Sequence, residues 1–136
     1  MGLFGPTPKN RGSKSALGVE NIAIISTRLI QAGYTVLNSY GLLRGNDLLI
    51  EDADGKFWRI WCRTAWFSKD RASLCFSGPE KKSDCGVGYF AVYHPRLIKV
   101  YLLPTSHVHS GENTLRLVST DSGRESRAQW AEDYEL

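Results

Sequence analysis

The chain has 136 residues, 42% hydrophobic and 23% charged, with a formal charge of +3. That length suits one domain with one core, and those fractions exclude a disordered, collagenous or coiled-coil chain. No run of about 18 apolar residues is present, which excludes a membrane-spanning helix. The start, Met1-Gly2-Leu3-Phe4-Gly5-Pro6, lacks the charged and then apolar stretch of a secretion signal.

In chain order, residues 1–15 carry Lys9, Arg11 and Lys14 and no acid, among Gly, Pro, Ser and Asn. They read as a flexible basic arm ahead of a domain spanning residues 16–136. Residues 16–32 predict a helix: Val19, Ile22, Ile25 and Leu29 recur at helical spacing, and Ala23 and Ile30 widen the stripe. Ser15 is placed as its N-cap and Gly33 as its terminating glycine. Tyr34–Leu37 predicts a short strand and residues 38–46 a loop. Asp47–Glu51 and Phe57–Ala65 predict a hairpin turning at Asp54-Gly55. Further strands are expected at Ala72–Phe76, Tyr89–Tyr93, Lys99–Leu103 and Thr114–Val118, with an exposed loop over residues 77–88 and a last helix over residues 124–134. The resulting class is α/β (α+β), one mixed sheet flanked by helices.

Three cysteines, Cys62, Cys75 and Cys85, form no CxxC pair. That count fits a reducing compartment, so a cytoplasmic location is expected. The charge is uneven. Residues 56–82 hold Lys56, Arg59, Arg63, Lys69, Arg71, Lys81 and Lys82 against Asp70 and Glu80, whereas acids outnumber bases over the last sixteen residues. Phe57, Trp58, Trp61 and Trp66 lie among those bases. Interleaved bases and aromatics can contact phosphates and stack on nucleobases. They can equally be the two faces of one amphipathic strand, Phe57, Arg59, Trp61 and Arg63 on one and Trp58, Ile60, Cys62 and Thr64 on the other. The Ile60/Cys62 face is expected to be the core side, because an arginine row avoids full burial. His107 and His109 read as exposed loop histidines, since no partner stands at metal-ligand spacing.

Six stretches in series carry a family likeness: residues 29–36 (LIQAGYTV), 46–50 (NDLLI), 57–65 (FWRIWCRTA), 89–95 (YFAVYHP), 100–104 (VYLLP) and 130–136 (WAEDYEL). In order and spacing the chain resembles the PD-(D/E)XK nuclease superfamily, and within it the small endonucleases associated with group I introns. The resemblance implies a restriction-endonuclease-like fold. It also implies Mg²⁺-dependent hydrolysis of DNA, with an Asp on one hairpin strand and an acid or Gln, one residue, then Lys on the next. Carboxylates hold the metal, the metal activates water and offsets phosphate charge, and the Lys adds a positive charge beside the phosphorus. An i, i+2 spacing puts acid and Lys on one strand face.

Asp47 matches the family Asp and is the expected metal ligand. Trp61 stands where Gln or Glu is expected, and indole offers a donor and no side-chain acceptor. Arg63 stands for the Lys; it keeps the charge but cannot act as a base near neutral pH. Gly88 stands where a further acid is expected. The branch's helix acid would fall at Ile22, with Glu20 about 200° around the helix from it.

Two functions follow as expectations. The first is an endonuclease with an altered site built on Asp47, Arg63 and Glu20, acting as a homodimer or higher homo-oligomer to cut both strands. The second is an inactive nuclease fold serving as a nucleic-acid-binding or protein-interaction module. Its nucleic-acid contacts would come from Arg59, Trp61, Lys81 and Lys82, with Lys9, Arg11 and Lys14 of the arm.

Overall fold

A computed structural model describes residues 5–6, 14–37, 47–118 and 128–136. The first element is helix α1, Lys14–Gln31. It starts one residue ahead of Ser15, which therefore lies inside the first turn and is not its N-cap. Gly33 ends it as expected: at φ +102° it lets its own N–H reach the Ile30 carbonyl and the Tyr34 N–H reach the Leu29 carbonyl. The buried stripe is narrower than the periodicity predicts. Ile25 and Leu29 are fully buried, while Val19 and Ile30 are more than half exposed.

The main sheet has five strands in the order β1-β2-β3-β6-β7. These are β1 Thr35–Leu37, β2 Asp47–Glu51, β3 Phe57–Thr64, β6 Gly88–His94 and β7 Lys99–Pro104. All neighbours pair antiparallel except β3 and β6, whose parallel register sets Arg59 against Gly88 and Trp61 against Phe90. The hairpin β2–β3 closes at Asp52: one carboxylate oxygen accepts the Asp54 and Lys56 N–H groups and the other accepts Trp58 Nε1–H, each at 2.9 Å. The bond from Trp58 is the main reason the Asp52 carboxyl sits below its ordinary range, with the Lys56 amide next.

A second sheet, in the order β4-β5-β8, comprises β4 Trp66–Phe67, β5 Ser73–Ser77 and β8 Glu112–Arg116. The main sheet is thus sandwiched, with α1 on one side and the small sheet on the other, so both faces of β3 are buried at its centre. Ile60 and Cys62 pack with Ile25, Leu29, Leu48, Ile50 and Ala91 under the helix. Trp61 packs with Leu74, Phe76, Phe90, Val92 and Leu115 under the small sheet. The face with alternating arginines is therefore a core face too.

The predicted loop at 38–46 lies outside the described residues, as do residues 124–127 of the predicted last helix. In the part that is described, Trp130 is extended and only Ala131–Asp133 turns, as one 3-10 turn. No helix among the described residues is long and apolar enough to cross a membrane.

Candidate functional site

The family positions come together around the middle of β3. Asp47 lies directly across from Trp61 in the β2–β3 register, and Arg63 follows on the same face as Trp61. Trp61 is 9% exposed. Its ring stacks on Phe90 at 5.5 Å with an 18° interplanar angle. A ring so covered has no open face for a nucleobase.

Gly88 accounts for the room Trp61 occupies. A Cβ at Gly88 would stand 2.7 Å from Trp61 Cζ3 and would also meet the Arg59 carbonyl oxygen. Any side chain there, an acid included, collides with the indole edge and with backbone. The two departures from the family pattern are therefore one packing arrangement, a large side chain on β3 beside none on β6.

The bases on and just ahead of β3 stack on the chain's own rings. The Lys56 ammonium lies 4.0 Å from the Trp58 ring centre, the Arg59 guanidinium 4.7 Å from that of Trp61, and the Arg63 guanidinium 5.3 Å from that of Phe90. Arg63 is also tethered: Nε donates to the Ser77 carbonyl at 3.1 Å and a terminal nitrogen to the Cys62 carbonyl at 3.0 Å. Lys82 lies in a short 3-10 turn, Lys82–Asp84, within the predicted 77–88 loop, and its ammonium donates to the Thr105 and Val108 carbonyls. Lys81 beside it is exposed. Burial is the main influence on the Cys85 thiol and pushes it up, and the cations Lys82, Arg59 and Arg63 act together against that shift.

Glu20 is exposed on α1 and lines a cavity of about 430 Å³ with Asn21, Thr64 and Tyr93. Asn21 donates to Thr64 Oγ1 at 2.6 Å. Glu20 is thus near the end of β3 but on the helix side of the sheet, opposite Trp61 and Arg63. Lys9 and Arg11 lie outside the described residues, and Lys14 opens α1.

Among the described side chains the donor chemistry does not fit a divalent ion here. Hard cations need several oxygen ligands. Trp61 and Gly88 supply no side-chain oxygen, Arg63 is a cation, and Glu20 is across the sheet. Among the described residues no three His, Cys, Asp or Glu side chains gather as a metal site.

Asp47 on β2 and Trp61-Cys62-Arg63 on β3 thus lie together in a helix-backed mixed sheet. A family model for PD-(D/E)XK endonucleases matches residues 13–136, and the chain belongs to that family. Nucleases of this family generally use divalent metal ions. Among solved structures, a bacterial homing endonuclease, I-Ssp6803I, superposes with a TM-score of 0.66 at 18% identity, over 91% of this chain and 87% of that one. No curated protein matches the chain.

Proposed function

We propose that this chain holds duplex DNA on its nuclease fold without hydrolysing it. The observation that carries the reading is Trp61, whose indole fills the space beside Gly88 at the two positions where the family motif calls for oxygen ligands. The positive charges of Arg59, Arg63 and the exposed Lys81, with Lys9 and Arg11 ahead of α1 and Lys14 at its start, favour a polyanion partner. The homing endonuclease likeness gives duplex DNA as the partner to test first.

Two measurements on the full chain test this. In a mobility-shift titration, a duplex is retarded at 50 mM salt, and affinity falls roughly a hundredfold by 200 mM, as expected for a few phosphate contacts. In a plasmid-nicking assay with Mg²⁺ or Mn²⁺, supercoiled DNA stays intact. Absence of retardation at 50 mM salt overturns the binding reading. Nicking by the wild type that is lost in Asp47→Ala overturns the non-hydrolytic reading and restores an endonuclease built on Asp47.

A further inference from the structure

A second cavity, of about 460 Å³, opens where β3 and β6 end. Its walls come from Trp66 and Phe67 of β4, from Ser68 and Arg71 in the turn to β5, and from His94 and Arg96 at the end of β6. Two arginines line it, and among the described residues no carboxylate does. The nearest acid in sequence, Asp70, is turned to its own loop, where it accepts Ser68 Oγ–H at 2.7 Å and the Ala72 N–H at 3.0 Å.

The walls are built up by stacking. The Arg71 guanidinium lies 5.7 Å from the Phe67 ring centre, and Phe67 packs on the His94 ring at 4.1 Å. His94 is 2% exposed, and its Nδ1 accepts the Arg96 and Leu97 N–H groups at 3.2 and 3.3 Å. The same ring therefore orders both arms that carry the arginines. Its Nε2 is buried with no hydrogen-bond partner among the described residues. Arg71 itself sits at φ +58°, a left-handed conformation that a long side chain rarely adopts and that concentrates at ligand sites. Trp66 leaves 45% of its surface open at the rim.

Two guanidiniums without a counter-acid call for an anion, and their planar forks suit phosphate oxygens. A large open indole beside them calls for a flat apolar partner. A nucleotide unit carries both groups, and the cavity is of the size that small ligands fill. We propose that this notch binds one nucleotide of a DNA strand that is unpaired or turned out of the duplex, with Arg71 and Arg96 on its phosphate and Trp66 stacked on its base. The proposal rests on the reading that the chain holds DNA, and it adds a contact on a different part of the surface from Arg59 and Arg63.

The test uses the full chain, with 2′-deoxyadenosine 5′-monophosphate and inorganic phosphate as probes. Binding is followed by tryptophan fluorescence and by backbone amide shifts. The mononucleotide is expected to quench fluorescence and to move the amides of residues 65–68, 71 and 94–96. Phosphate alone moves the amides of Arg71 and Arg96 without the quench. Arg71→Gln with Arg96→Gln weakens mononucleotide binding about tenfold or more, and Trp66→Ala weakens it by about tenfold, the value of one stacked base. Trp66→Phe retains most of the affinity, which separates stacking from loss of fold. Mononucleotide shifts that fall elsewhere, or equal affinity in the double arginine variant, overturn the proposal. A mobility shift on the same preparations separates the two readings. Retardation of duplex with a silent notch overturns the notch alone. A responsive notch without duplex retardation supports the notch and overturns the duplex reading.

Discussion

Trp61 and Gly88 are diagonal neighbours on the parallel strands β3 and β6, and neither can change alone without cost. Putting a Cβ at Gly88 drives it against the Trp61 ring edge and the Arg59 carbonyl. Gly88→Ala is expected to destabilise the chain by about 1–3 kcal/mol, the usual cost of overpacking. Trp61→Gln removes a buried ring that stacks on Phe90 and is expected to cost about 3–5 kcal/mol, as large core truncations do. The double variant should cost less than the sum by at least about 0.5 kcal/mol, because removing the Trp61 ring edge makes room for the methyl added at residue 88. Urea unfolding of the four proteins measures this; strict additivity would show that the two residues are not one arrangement. The positions of Asp47, Trp61 and Arg63 on one face were readable from strand alternation alone. The reason an indole can stand at the ligand position was not, because it lies on β6, far along the chain and adjacent only once β3 and β6 pair.

Strand periodicity, turn residues and the Asp-Gly pair placed the six longer strands to within a residue or two of their observed ends. Two elements went otherwise, each for a tertiary reason. Trp66–Phe67 forms a strand because β5 offers it an edge, which a two-residue stretch cannot signal. Trp130 is drawn into a bridge with Arg116, so helical spacing of Trp130 and Tyr134 has no bearing there. The bend from β6 to β7 depends on a side chain whose role sequence did not show. His94 Nδ1 must be a lone pair to accept the Arg96 and Leu97 amides, and burial holds its pKa below the ordinary 6.5, with Arg96 adding to the shift. The unfolded chain therefore takes up a proton at His94 before the folded one does. Stability should be level above about pH 6.5 and fall as pH drops below it toward the folded pKa. Urea midpoints at intervals from pH 8 to pH 5 should show that slope, and His94→Asn should flatten it. An unchanged slope in the variant would assign the effect to other groups.

At the scale of the molecule, a sheet with both faces covered still has two edges, and an exposed edge strand invites pairing with another chain. On the β7 side the last residues close that edge. The Leu102 N–H donates to the Tyr134 carbonyl at 2.8 Å and the Leu136 N–H to the Val100 carbonyl at 2.9 Å, with Tyr101 bridged to Glu135. The same segment reaches the other layer: Arg28 of α1 donates to the Leu136 carbonyl oxygen at 3.0 Å, and Leu136 packs against the helix-side core. Lys99 and Glu135 pair across the edge at 2.8 Å, a surface contact of small weight. Removing residues 134–136 deletes three hydrogen bonds that tie helix and sheet edge to this segment, besides the bonds of Tyr134 to Ala131 and His107. At a net 0.5–1.5 kcal/mol each, the loss should be roughly 2–4 kcal/mol. It should also bare the β7 edge, so the shortened chain should self-associate at concentrations where the intact chain does not. Urea unfolding measures the first effect and sedimentation velocity the second. A shortened chain of unchanged stability and sedimentation would mean that β7 needs no cover, and that the helix is held to the sheet without the last residues, by its apolar stripe and the Asn21–Thr64 bond.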